Sequence, residues 1–334
     1  MAAPRAEEDH ELNPNGIPPF PALPLQKDGP MLNAWGLYGS RDELGTLNRL
    51  TDERVAAAAR QEIKTGVRVS LNWPLNAQSK GSFFARQKFH QDMFAKHPRC
   101  VNDDVWSFNT QVSSQWDGLR HYAYQGEKRF YNGVTMEDIH AEGSTVNGIQ
   151  AWSKKGIVGR AVLLDYHSWR LSQPSASSPP FDAFSTTPIP LSHLLACAAS
   201  QNTTIQFGDI LIIRSGWMVA HSRKSDAELA EHQRHPPHAF CGVEQSEEAL
   251  KWIWENFAAV AGDQPSFECW PSRETWALHE VLLSGWGCPI GELFDLEELA
   301  EECKRQGRWS FFVSSEVCNV PGGVASPPNI LAIF

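Results

Sequence analysis

The residues best suited to chemistry lie in one short stretch, 111–121, which reads QVSSQWDGLRH. If it runs extended, alternate side chains share a face. One face then carries Gln111, Ser113, Gln115 and Asp117, and the other carries Val112, Ser114 and Trp116. A row of hydrogen-bonding side chains is expensive to bury without partners. A ligand, a metal ion or a water cluster would satisfy it; the plainer alternative is a strand face open to solvent. Trp116, with Trp106 upstream, argues for a central strand. Gly118 breaks that strand, and a turn there would carry His121 back over the pocket that Asp117 faces.

A second candidate stretch is 279–292, HEVLLSGWGCPIGE. His279 falls in a helical segment with Leu282 and Leu283. A Gly-rich turn follows, and Glu292 opens the next element, where a helix dipole would favour an acid. Neither residue is specific alone, because a lone helical His more often packs than ligates. Other signals carry less. His232, His235 and His238 form HQRHPPH, but in a charged stretch that reads as a solvated loop. Ser215 lacks the G-x-S-x-G elbow of a serine hydrolase. Cys241 and Cys269 lack a recognisable Cys-His arrangement. GTLN and GGVAS lack the spacing of a phosphate loop.

The elements that must position these residues alternate. Residues 51–65 read as a helix capped by Thr51 or Asp52 and stopped by Gly66. Residues 67–71 alternate like a strand. Residues 160–165 (RAVLLD) and 209–214 (DILIIR) read as buried strands, with a helix over 190–200 between them. Leu250, Ile253, Trp254 and Phe257 form one apolar stripe, so 247–257 is a helix. A small-residue strand (258–261), a helix (274–284, ended by Gly285) and a late strand (309–313) follow. Residues 171–190 and 220–240 read as loops or insertions. This order favours a mixed α/β domain with a flanking sheet.

Bulk properties exclude several function classes. A net charge of −10 opposes nucleic-acid binding, which needs a basic field. No apolar run reaches the ~18 residues of a membrane span. The 13 Trp and 17 Phe suit a large core and a pocket for flat organic ligands. The 7 cysteines are widely spaced, without a C-x-x-C pair, so buried thiols in a reducing cytoplasm are expected. Residues 1–28 are polar and Pro-rich, without a signal-peptide core, and read as a flexible or wrapping arm. Residues 29–334 read as one catalytic domain.

Taken together, 111–121 and 279–292 resemble the cyclase family of metal hydrolases, the group of kynurenine formamidase and isatin hydrolase. Its members carry HxGTHxDxPxH and, far downstream, HxxLLxxGxPIxE. The resemblance extends to WGLYGSRDELGTLNRLT, GRAVLLD, GDILIIRSGW, the end of VAGD at Asp263, and the tail GGVASPPNILAIF. It implies a swivelling β/β/α-type fold, with a mixed sheet flanked by helices, and a homodimer or larger homo-oligomer. By position, the family's first two His fall on Gln111 and Gln115, its Asp on Asp117 and its catalytic His on His121. Its distant His and Glu fall on His279 and Glu292, with one extra residue in the turn. The implied ligand set is therefore Gln111, Gln115, Asp117, His279 and Glu292, with His121 and Glu292 as acid/base groups.

The chain departs from the motif where Gln replaces His. An amide oxygen in place of an imidazole nitrogen shifts preference from Zn toward Mn or Mg. One divalent ion (Mn, Zn or Mg) is expected, and a second is harder to hold. Trp116, Tyr131 of the FYNG turn and Ser326 of the SPP segment are expected to shape the substrate wall. The implied reaction is hydrolysis of an amide, lactam or lactone of a small aromatic metabolite. The alternatives are a non-hydrolytic cyclisation, dehydration or isomerisation, and an inactive small-molecule binder without metal. A small molecule is the expected partner, with neither nucleic acid nor membrane.

Overall fold

Aliphatic runs too continuous for a one-sided sheet form the middle of a nine-stranded mixed sheet. The computed structural model describes residues 11–173, 181–234 and 238–334. In chain order the strands are β1 (Arg68–Ser70), β2 (His90–Ala95), β3 (Asn102–Ser107), β4 (Gln115–Asp117), β5 (Ile157–Leu164), β6 (Pro188–Ile189) and β7 (Asp209–Ile213). They continue with β8 (Gly242–Val243), β9 (Phe257–Gly262), β10 (Ile290–Glu292), β11 (Ser310–Ser315), β12 (Ala325–Ser326) and β13 (Ile330–Ile333). The main sheet runs β1-β13-β11-β5-β7-β9-β10-β4-β12. Its centre, β5-β7-β9-β10, is parallel, and both flanks are antiparallel. Every residue of β7 and β9 is buried, as a two-sided parallel strand requires.

Helices cover this sheet where the amphipathic stripes predict them. Asp52–Glu62 is capped by the Thr51 hydroxyl. Leu191–Ser200 follows Pro190. Glu247–Asn256 is capped by Ser246 and buries Leu250, Ile253 and Trp254. Residues 11–28 lie on this body, with Ile17, Phe20, Leu23 and Leu25 buried. The Trp254 indole donates to the Pro18 carbonyl at 2.9 Å. None of the described helices is long and apolar enough to cross a membrane. All seven cysteines are free, and Cys197, Cys241, Cys269, Cys288 and Cys303 are buried.

Five expectations are corrected by the tertiary structure. The strand expected across 111–117 is confined to β4, because Ser113 and Ser114 turn their hydroxyls onto backbone. Ser113 donates to the Trp73 and Pro74 carbonyls, and Ser114 donates to the Leu293 carbonyl. Trp106 belongs instead to the β2–β3 hairpin, whose strand residues are all exposed. The helix expected from 274 begins only at Leu278, where Glu280 reaches back to the Ala277 amide at 3.1 Å. It then widens into a π-helix over Glu280–Gly285. Glu292 closes strand β10 rather than opening a helix. Finally, 220–240 is not simply a solvated loop. The helix Trp217–Ser222 runs into it, and the helix Asp226–Arg234 lies within it. His232 and His238 pack on Phe83 and Phe240, while His235 lies outside the described residues, as do 174–180 of the expected 171–190 loop.

Candidate active site

The site forms where β4 meets β10. Their antiparallel register sets Gln115 opposite Glu292, and Asp117 opposite Ile290. Gln115 and Asp117 point to the same side, as period-two alternation requires. The Gln115 amide donates to Glu292 Oε2 at 2.9 Å, joining residues 177 positions apart in sequence. Gly118 then opens the turn expected of it: the His121 amide donates to the Gly118 carbonyl at 3.0 Å. This returns the His121 ring to within 3.8 Å of Asp117 Oδ2.

His279 completes the cluster from the first turn of the helix that becomes π-helical. π-turns recur at functional sites because they redirect one side chain inside a helix. Its Nδ1 lies 2.5 Å from Glu268 Oε2, and its Nε2 lies 3.2 Å from Glu292 Oε1 and 3.9 Å from Asp117 Oδ2. The Glu268 bond orients the ring so that Nε2 faces the other acids. A carboxylate behind a ligating imidazole serves this purpose in metal sites. The Phe267 amide also donates to Glu292 Oε1 at 3.0 Å.

Burial and neighbouring charge pull the ionisations apart. Burial alone would raise the Asp117 carboxyl, but His121 and His279 outweigh it and hold it at about 2. Burial and the adjacent Asp117 charge push Glu292 up to about 7. His121 is lowered, first by burial, so its ring is neutral near pH 7. His279 is raised well above its usual value, because Glu268, Asp117 and Glu292 together overcome burial.

The residues present fit a cation. Asp117 Oδ2 and Gln115 Oε1 are buried without a hydrogen-bond partner among the described residues, an expensive condition that a cation would relieve. Ligand atoms of Asp117, His121 and His279 lie within 4.8 Å of one another. The Gln111 nitrogen donates to Asp117 Oδ1 at 2.6 Å and lies 3.1 Å from His121 Nε2. In this arrangement Gln111 steadies Asp117 and His121.

The cluster forms the floor of a cavity of about 390 Å³. Phe84, Tyr122 and Trp270 supply aromatic walls, and Arg86 and Ser266 supply donors. The expected wall residues lie elsewhere. Trp116 is fully buried on the opposite side of β4, its indole donating to Ser315 and its ring edge-on to Phe294. Tyr131 is buried and donates to Asp42. Ser326 is buried on β12, where it accepts from the Cys318 amide. The neighbour of a site residue along a strand points away from it, which explains Trp116. Glu268 was the residue most open to discovery from sequence. It follows the C-terminal end of β9, and in parallel sheets such loops line the ligand crevice. Nothing in the sequence around Arg86 marks it.

Comparison with known proteins matches this architecture. Residues 45–269 match a family described as putative cyclase. A crystal structure of a novel cyclase is 31% identical, with a TM-score of 0.78 over 90% of this chain and 99% of that one. Isatin hydrolase A from Ralstonia solanacearum is 15% identical, with a TM-score of 0.55 over 85% of this chain and 98% of that one. Isatin hydrolase A from Labrenzia aggregata, bound to benzyl benzoate, is 12% identical, with a TM-score of 0.55 over 86% and 98%. These two hydrolases share the fold with this chain. No curated protein matches the sequence at comparable significance. The family match and the 31% identical structure cover the sheet, the site and most of the chain together, and the chain belongs to the putative cyclase family.

Proposed function

We propose that this protein is a metal-dependent hydrolase that cleaves the acyl C–N or C–O bond of an amide, lactam or lactone in a small aromatic molecule. One observation carries the reading. Asp117 Oδ2 and Gln115 Oε1 lack partners beside His279, beneath a cavity with aromatic walls. The isatin hydrolases that share the fold support the same reaction class. Gln115, Asp117 and His279 would hold the ion, with Glu292 beside them. A divalent cation, when bound, polarises an acyl carbonyl and acidifies water.

The chain's own groups do the rest. His121 Nε2 takes the proton of the attacking water and returns it to the leaving group. Burial lowers its pKa, which favours the neutral ring that a base requires. Gln111 holds Asp117 and borders the His121 ring. Glu292 accepts from the Gln115 side-chain amide and from the Phe267 backbone amide. Phe84, Tyr122 and Trp270 exclude water and present a surface to a flat ring.

The test combines metal analysis with a panel of aryl amides, lactams and lactones in isotopically labelled water. One Mn, Mg or Zn ion per chain is expected, with chelator-sensitive turnover and label in the product acid. Turnover without label incorporation would replace hydrolysis by cyclisation or isomerisation. Protein that takes up no divalent ion under any loading condition would end the reading.

A further inference from the structure

We propose that the cavity recognises an aromatic carboxylate, with the anionic group paired to Arg86 and the ring against Phe84 and Trp270. The hydrolase reading is needed here only for what happens to the ligand's acyl bond, because binding stands on the cavity itself.

Arg86 is half-buried and lines the cavity. Its NH1 donates to the Gln111 carbonyl at 2.8 Å, and its guanidinium carbon lies 5.1 Å from the Phe84 ring centre. Among the described residues it forms no ion pair. Three other inward-facing arginines are satisfied differently. Arg160 meets Glu62 and Asp209, and Arg214 meets Asp165 and Glu297. Arg120 is held by the carbonyls of Val146, Gly322 and Ser144. A guanidinium carries five donors in a planar fork that matches a carboxylate in bidentate fashion. At Arg86 most of that fork has no protein partner among the described residues.

Two further features select the ligand. Ser266 lines the same cavity, and its hydroxyl is buried without a partner among the described residues. Phe84 and Trp270 lie edge to face at 6.1 Å, which makes one continuous aromatic wall rather than a clamp. His279 and Glu292 line the floor of the same cavity. The planar fork of Arg86 matches a carboxylate in bidentate fashion, and a ligand held there can reach the floor with its acyl group.

The experiment compares 2-aminobenzoate with 2-aminobenzamide, an isosteric acid and neutral amide, by calorimetry or tryptophan fluorescence on the protein as purified. Wild type should prefer the acid by about tenfold or more, the equivalent of a charge-assisted bidentate pair. Arg86→Met should reduce that preference below about threefold while leaving affinity for the amide within about twofold. Arg86→Lys should keep an intermediate preference, since it retains charge but loses the fork. If Arg86→Met fails to fold, Arg86→Gln carries the same comparison. Equal affinity for acid and amide in wild type overturns the proposal, as does an acid preference that survives Arg86→Met. A mere counter-charge for the acidic floor would shift both ligands alike and also overturns it. Metal content and hydrolysis are measured on the same samples. Acid preference without turnover removes the hydrolase reading alone, and turnover without acid preference removes this one alone.

Discussion

His121 is exposed enough to reach solvent and near enough to Asp117 to be held. Its ring nitrogen lies 3.8 Å from a carboxylate oxygen that has no hydrogen-bond partner. Proton transfer, rather than stability, is what this placement serves. His121→Asn should therefore lower turnover by roughly 10²–10⁴-fold, about 3–5 kcal/mol of transition-state stabilisation. Melting temperature and metal content should stay near wild type. An active but destabilised variant, seen by parallel kinetics and thermal unfolding, would assign His121 a structural role. Glu268 acts one step further out, through the Nδ1 of His279. Glu268→Gln should weaken metal binding by about 10–100-fold, as loss of an orienting carboxylate does. Calorimetric titration with Mn²⁺ or Zn²⁺ measures this, and unchanged affinity would remove Glu268 from the site.

At the scale of elements, the site depends on a close backbone approach some distance from it. Gly45, at φ +57°, lies directly against the backbone of Gly287, at φ +65°. The Thr46 amide donates to the Gly287 carbonyl at 3.3 Å. Gly287 joins the π-helical segment behind His279 to strand β10, which carries Glu292. A side chain at 45 would strike the Gly287 carbonyl and Cα, which are backbone and cannot rotate aside. Gly16 also has positive φ, at +77°, but open space around it. Gly45→Ala should cost roughly 2–4 kcal/mol of unfolding free energy, and Gly16→Ala only about 1 kcal/mol. The Gly45 variant should also bind metal less tightly, because its strain falls on the segment between two site residues. Denaturant unfolding and metal titration of both variants would check this. Equal effects at the two positions would show that backbone conformation, not the close approach, matters.

Across the whole molecule, half-buried imidazoles contribute to its response to acid. His221 packs on Trp73 and Trp217, with ring centres 5.0 and 4.9 Å away. Burial lowers its pKa from 6.5 to about 4. A depressed folded-state pKa means that the folded form resists protonation. The stabilisation is complete above 6.5, the unfolded value, and is lost as pH falls toward 4. His167 behaves alike, lowered to about 4 first by burial and then by Arg214. Stability should therefore fall between pH 6.5 and 4, with His221 contributing about 1–3 kcal/mol of the loss. His221→Gln should flatten that part of the profile. Thermal unfolding across this range measures it, and an unchanged slope in the variant would assign the acid response elsewhere.

Much of this protein was written locally. The apolar runs of β5 after Arg160, of β7 after Asp209 and of β9 specify buried parallel strands because no polar residue interrupts them. The stripe of Leu250, Ile253 and Trp254 specifies one helix against that sheet. The types and order of Gln115, Asp117, His121, His279 and Glu292 already indicated a polar cluster and its chemistry. Local pattern could not decide which side chains face the cavity. Ser113 and Ser114 look like members of an extended face, but they bond to backbone from other segments and end the strand. Trp116 alternates away from Asp117 into the core, and Tyr131 is drawn to Asp42. Gln111 presents its nitrogen rather than its oxygen because a carboxylate oxygen lies 2.6 Å from it. Glu268, Arg86 and Trp270 reach the site only through long-range packing, which no short-range periodicity records. Sequence alone determined the elements and the kinds of reactive group, because those depend on residue type and spacing. Only the tertiary structure decided which groups meet, because partnership across β4 and β10 depends on register between segments distant in the chain.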